Sequence, residues 1–421
     1  MGKNKLQGTL GLLIILLVLS MVAVASTSCG SDDEYLDLDN FPVFKMGMLL
    51  SKTGEPEIGH NYEPGVRLAV KEIQEAGISV VLAERDSACS LPTAERSFSQ
   101  LMDEGVHGII GAGCSAVSLG LLDEINEYET VMISPVSSSP ILTTEPTSGN
   151  GFFFRSKPSD AFRAVVIAKV IAEDGGADNI AVIHINDAYG NALKDALTKT
   201  VGNSSKITQI PYPPEATASE YAEAARQVSS SNPDAVVILP VGAERTDVIA
   251  ALIAADTEPS QTRIYLAGAT PQNLDASVRN LLGISGNEVQ VEGIKGITTS
   301  FPGNADFARR IMEFAPEIGC PSCPRHAYDA TVIMVLAALS ARTVEPSEYV
   351  NETSDVTRDG EKCQSFSECL DLVVEGKDID YDGVSGTIEL DDAGDPTEGI
   401  YEISRYDADG IPVKVGSISV P

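Results

Sequence analysis

Histidine is scarce in this chain: four among 421 residues, at positions 60, 107, 184 and 326. No Gly-x-Ser-x-Gly elbow and no Walker-type phosphate loop accompany them, so spacing nominates neither a nucleophile with its base nor a nucleotide site. His184 lies inside the apolar run Ala181-Val182-Ile183-His184-Ile185 and reads as a core or sheet-end histidine. These absences count against an enzyme and leave an exported hydrolase as the weaker alternative. Basic residues are few as well, 29 Lys and Arg against 61 Asp and Glu, for a net charge of −32. Such a surface repels nucleic acid and anionic lipid and excludes nucleic acid as a partner. Beyond the N-terminal leader no apolar run is long enough to span a bilayer. The longest, around 330–339, has the length of a buried helix.

The leader itself is an export signal: Lys3 and Lys5, an apolar stretch over 10–25, then small residues ahead of Cys29. Its loss with Lys3 and Lys5 takes the net charge to −34. Two processing routes compete. Ala23-Val24-Ala25 fits a general signal peptidase, whereas Ser26-Thr27-Ser28-Cys29 is similar to a bacterial lipobox, with Ser26 where an aliphatic residue is usual. The chain has seven cysteines, at 29, 89, 114, 320, 323, 363 and 369. An odd thiol is a liability in an oxidising compartment, and removing Cys29 as a lipid anchor leaves an even six. Parity therefore favours a lipoprotein on the periplasmic or cell-surface side of a bacterial membrane. Residues 1–28 are then the signal peptide and 29–41 an acidic tether.

About 390 residues remain, more than one core usually organises, so two lobes are expected. β-branched or aliphatic runs at 43–50, 79–83, 108–110, 131–133, 180–185, 235–239 and 264–266 alternate with amphipathic stretches such as Val66, Ala69, Val70 and Ile73. That alternation predicts an α/β fold with parallel sheets covered on both faces. A new βα series starts with a helix over Asp160–Glu173, after a break near 154–158. Further passages between lobes fall around 296–302 and 381–386. The first lobe is expected to comprise 42–155 with 299–382, and the second 156–298 with 383–421. A cleft at the carboxyl ends of both sheets is where such folds bind ligands.

Two loops in the first half are chemically pointed. Gly111-Ala112-Gly113-Cys114-Ser115 follows one apolar strand, and Ser134-Pro135-Val136-Ser137-Ser138-Ser139-Pro140 follows the next. Taken singly, Ser115 reads as a helix cap and the serines as a turn. Two donor loops at one sheet edge point instead to a carboxylate or similar small anion.

With these loops the chain resembles the type I periplasmic binding proteins, in particular the leucine/isoleucine/valine-binding components of ABC importers. The resemblance runs over most of 44–407 and is carried by motifs in order: Gly65-Val66-Arg67-Leu68-Ala69-Val70-Lys71-Glu72-Ile73, Asp86 with Cys89, the two serine loops, Asp187-Ala188-Tyr189-Gly190, Tyr328-Asp329-Ala330, and a late segment from Gly386 to Asp395. It implies two Rossmann-like lobes joined by a three-crossing hinge. It also implies that Ser115, the Val136 backbone and Ser138, with neighbouring Ser137, grip a ligand carboxylate. Tyr189 would close from the second lobe, and a Cys89–Cys114 disulfide would pin the Ser115 loop. The resemblance fails where relatives carry an acid for the ammonium group: here stands Gly268-Ala269-Thr270, and Pro240-Val241-Gly242 lacks a usual aromatic. Asp329 and Glu244 are the remaining acidic candidates.

Two motifs are discounted. Asp378-x-Asp380-x-Asp382-Gly383-x5-Glu389 matches a calcium loop, but its continuation reads as turn into strand rather than as an exiting helix. Cys320-Pro321-Ser322-Cys323 near His326 suggests zinc or redox chemistry, yet structural disulfides within or between the pairs 320/323 and 363/369 suit an exported chain better. No cofactor or metal is implied. The sequence thus describes a lipid-anchored solute-binding protein that delivers a small amino-acid-like or carboxylate ligand to an ABC permease, with a ligand-sensing surface lipoprotein as the alternative.

Overall fold

The computed structural model describes residues 36–54, 56–144, 151–239, 244–268, 273–286, 288–300 and 304–421. The leader, Cys29, Ala269-Thr270 and Pro240-Val241-Gly242 lie outside the described residues. Two sheets organise the rest. The first has the order β2-β1-β3-β4-β5, with β1 Phe44–Leu50, β2 Val80–Asp86, β3 Gly108–Gly111, β4 Met132–Ser134 and β5 Phe153–Arg155, all parallel. The second begins with β6 Asn179–Ile185, β7 Lys206–Tyr212, β8 Ala235–Leu239, β9 Arg263–Ala267 and β10 Lys295–Thr299, again parallel. A three-stranded sheet follows, of β11 Glu361–Cys363, β12 Ile379–Gly383 and β13 Gly386–Thr387. The antiparallel hairpin β14 Gly399–Tyr406 and β15 Pro412–Val420 then completes the second sheet in the order β15-β14-β10-β9-β8-β6-β7.

The central apolar runs become strands buried on both faces, β8 along its whole length, whereas the edge strand β2 is mostly half-buried. The 330–339 run is a helix, within Arg325–Ser340, with every residue from Arg325 to Leu339 buried. It packs on the helix Pro56–Glu75, whose Gly65 has a physical reason: a Cβ there would sit 2.1 Å from the Pro324 carbonyl oxygen. The helix Asp160–Glu173 starts at Ser159, whose Oγ accepts from the Ala161 amide, and the helix Ala188–Val201 starts at Asp187, which accepts from the Gly190 amide at 2.7 Å. No helix among the described residues is long and apolar enough to cross a membrane.

The chain passes between the sheets after Arg155, after Thr299 and again between Leu390 and Gly399. The last passage comes later than the 381–386 stretch suggests, because Ile388 and Leu390 are buried in the first core with Tyr381. The acidic tether also ends sooner than expected. Leu36 is buried in that core, Leu38 and Phe41 pack against it, and Leu38–Asn40 forms a 3-10 turn. Three disulfides join Cys89 to Cys114, Cys320 to Cys323 and Cys363 to Cys369, so the pairs left open by sequence close locally. The calcium-like segment is the hairpin of β12 and β13, and Lys362 pairs with Asp380 at 2.9 Å and Asp382 at 3.1 Å.

Candidate functional site

The loops after β3 and β4 are laced to each other. Ser134 Oγ donates to the Ala112 carbonyl at 2.8 Å and accepts from the Ser137 amide at 3.0 Å. Ser137 Oγ lies 2.8 Å from Ser118 Oγ and 3.3 Å from the Ala112 carbonyl. Ser115 Oγ accepts from the Ser139 amide at 3.3 Å, and the Cys89–Cys114 disulfide holds the residue before it. The helix that Ser115 opens, Ser115–Gly120, is only six residues long, and the cap position Cys114 supplies no side-chain bond. Hydroxyl and loop-amide donors, rather than a long helix terminus, are therefore what this edge offers.

The two sheets meet at Asp160, the first residue of its helix and 1 % exposed. Its Oδ2 accepts from Ser138 Oγ at 2.9 Å and from the Tyr189 hydroxyl at 2.5 Å, and its amide donates to the Ser138 carbonyl at 2.7 Å. Arg163, one turn on, approaches the same carboxylate at 3.3 and 3.4 Å and reaches Thr299 Oγ1 at 3.4 Å. Burial, then the Asp160 charge, push the Tyr189 phenol well above its ordinary range. For Arg163 burial works against the charged form, but Asp160 together with Tyr189 and Tyr401 outweighs it, and the net shift is upward. A Tyr189 that stays protonated is a hydrogen-bond donor at any working pH, which suits it to a carboxylate acceptor.

A second buried arginine braces the loop from behind. Arg155, fully buried at the end of β5, donates from Nε and Nη2 to Asp395, the Nη2 bond to Oδ2 being 2.6 Å. Its Nη1 donates to the Ser139 carbonyl at 2.9 Å, and Nη2 also reaches Thr143 Oγ1. The first and third passages and the serine loop are thereby tied into one unit.

Of the residues nominated from sequence, Ser138 and Tyr189 converge on one carboxylate, and Ser115 joins the same loop through Ser139. Val136 is half-buried, with its amide 3.4 Å from Ser134 Oγ. Ser137 stands differently: its hydroxyl is engaged by Ser118 and Ala112 and serves the loop rather than the cleft. Asp329 is corrected outright. It is fully buried and accepts from the Tyr381 hydroxyl at 2.7 Å, the Val384 amide at 2.9 Å, the Ser385 amide at 2.8 Å and the Ser385 hydroxyl. Those four donors saturate the carboxylate and hold the turn after β12. Burial raises its pKa against their pull, and no acceptor position remains for an ammonium group. Glu244 stands at the N-cap of the helix Arg245–Ala254, where the Tyr212 hydroxyl approaches it at 3.5 Å, on the side of the second sheet that ends in β7. It is not among the groups gathered at Ser138 and Tyr189.

Asp160 escapes sequence reasoning because Ser159-Asp160 reads as a cap followed by a first-turn acid. Its signal is the redundancy: Ser159 alone caps the helix, so the adjacent acid is spare. Arg163, three residues later on the same face, is legible only with Asp160 in hand.

Residues 43–361 match the family model described as periplasmic binding protein. Among curated relatives, the chain is 22 % identical over 385 residues to the chemotactic signal transduction system substrate-binding protein of Halobacterium salinarum, covering 88 % of each chain. It is 28 % identical over 200 residues to the Leu/Ile/Val-binding protein homolog 3 of Brucella melitensis, covering 46 % of this chain and 52 % of that one. Among solved structures, the leucine-binding protein of Thermotoga maritima superposes with a TM-score of 0.67 at 20 % identity, covering 89 % of this chain and 99 % of the other. A solute-binding protein of R. palustris in complex with 4-hydroxybenzoate gives 0.68 at 15 % identity, covering 90 % and 97 %. These structural likenesses show a shared fold.

Proposed function

The chain belongs to the periplasmic binding protein family, and we propose that it is a lipid-anchored solute-binding component of an ABC importer, taking a small amino-acid-like or carboxylate ligand between its lobes. The family's members bind solutes and are not enzymes, and membership implies an extracytoplasmic location. The observation that carries the ligand reading is the meeting of Ser138 and Tyr189, from opposite sheets, on one carboxylate oxygen. Two neutral hydroxyls that converge on Asp160 can converge equally on a ligand carboxylate, with Ser115 beside them. Asp160 Oδ1, buried and met only by the 3.3 Å ion pair with Arg163, is then the acceptor for an ammonium group, in place of the missing acid near Gly268. In this reading closure proceeds by bending at the three passages, and the ligand stabilises the closed form by bonding to both lobes at once. Cys29 would carry the lipid.

The test is a thermal-shift and calorimetric screen of the exported chain against amino acids, aromatic carboxylates and small acids, repeated on Ser115→Ala/Ser138→Ala. Loss of both hydroxyls should weaken binding by ~10-fold or more while the fold persists. Unchanged affinity would remove these serines from the site. One observation favours a second reading, in which the same closed form reports a ligand to a sensory system: the relative from Halobacterium salinarum is described as part of chemotactic signal transduction. Deleting the gene should abolish uptake of the ligand if the protein feeds an importer, and abolish only the behavioural response if it serves a receptor.

A further inference from the structure

The two buried arginines at the passages are used very differently. Arg155 has a close acceptor for each of its three nitrogens. Arg163, 8 % exposed, meets Asp160 only through its Nη pair, at 3.3 and 3.4 Å, well beyond the 2.7–2.9 Å usual for such ionic bonds. Its other side-chain partners are Thr299 Oγ1, as long, and the Tyr189 hydroxyl. Nε is buried and has no acceptor at all. Because Asp160 engages the guanidinium end-on, the side edge made by Nε and one Nη is left without a carboxylate, and that edge is the one that pairs with two oxygens in parallel. A buried N–H of a cation without an acceptor is costly, so its retention calls for a partner that arrives.

Carboxylate is also scarce around it. Arg163 supplies five N–H groups and Ser115, Ser138 and Tyr189 add hydroxyls that donate as well as accept, while Asp160 supplies the one carboxylate. A ligand with a single carboxylate uses the hydroxyls and leaves the guanidinium edge unchanged. We propose that Arg163 is a ligand contact that reads a second acidic group, so that the cleft takes a doubly acidic ligand, a dicarboxylate or an acidic amino acid. This rests on the carboxylate site of Ser115, Ser138 and Tyr189 and names the class of ligand it admits.

Calorimetry with succinate and L-glutamate, set against L-leucine and benzoate, tests it on the unaltered protein first. The doubly acidic probes should bind more tightly. Arg163→Gln should then lose ~30-fold or more for succinate and glutamate, a loss at least ~10-fold larger than the one it shows for leucine or benzoate. Arg163→Lys, which keeps the charge and loses the fork, should fall between them; it serves if the glutamine variant does not fold. Tighter binding of leucine or benzoate than of either diacid overturns the assignment while leaving the carboxylate site standing. So does an equal loss for both classes in Arg163→Gln. If none of the four probes binds, the carboxylate site itself is wrong and the role of Arg163 falls with it.

Discussion

His326 shows how a single residue can couple the fold to pH. It lies in the first turn of a wholly buried helix, its carbonyl accepts from Ser156 Oγ at 2.8 Å, and burial, with Lys157 and Arg325 nearby, pushes its pKa down to about 3. The unfolded chain takes up a proton at this ring near pH 6.5, whereas the native chain resists until about 3. Between those values the unfolded state holds the extra proton, so stability falls as pH drops and the full contribution is present above 6.5. Urea unfolding from pH 7 to 4 should show this slope, and His326→Gln should flatten it by up to about 1.4 kcal/mol per pH unit. Identical slopes in the two proteins would mean that the ring ionises freely in the native state. At this scale the sequence is legible where a residue type has one use: the Cys89–Cys114 pairing implied by family likeness is present, and Tyr189 stands at its helix start. It is not legible where one residue type has several uses. Asp329 and Asp160 are both helix-turn aspartates in sequence, and only the donors brought from 381–385 make the first a structural acid and leave the second in the cleft.

Among the elements, β1–β4, β6, β8 and β9 were legible because each carries a β-branched or aliphatic run, and the misses share one cause. β7 is an edge strand with exposed and buried positions mixed, and β14 alternates over much of its length, so neither carries such a run. The last passage was misplaced for a related reason: Val384 to Leu390 reads as a turn into the second lobe, but Asp329 anchors its start and the first core buries its end. The element that joins these parts is the Arg155–Asp395 pair, which ties β5, the serine loop and the third passage together. Asp395→Asn removes the countercharge of a fully buried guanidinium, and loss of one partner of such a pair costs about 3–5 kcal/mol. The denaturant midpoint should fall accordingly, and amide exchange over 139–143 should speed up more than exchange in β8. A midpoint within about 0.5 kcal/mol of the parent would show that Arg155 finds another acceptor and that the pair is not what holds the loop.

For the whole molecule, the governing quantity is charge. With 29 basic and 61 acidic residues, pairing every base with an acid would still leave an unmatched excess of 32 negative charges. Many of the ion pairs are local ones within a helix, such as Arg309 with Asp306 and Glu313, and exposed pairs of that kind contribute little. Salt acts on both populations with opposite signs: it weakens the pairs and it relieves the repulsion. The excess decides which effect wins, because repulsion among unmatched carboxylates opposes the compact state over the whole surface. Raising NaCl from about 0.05 M to about 0.5 M, where the screening length falls well below 10 Å, should therefore raise the melting temperature of the ligand-free protein. Screening does not depend on which anion supplies it, whereas salting-out does, so sodium perchlorate at the low end of that range should stabilise as well. A melting temperature that is flat or falling in NaCl, or rising in NaCl alone, would assign the acidic surface to solubility and leave stability to the two cores.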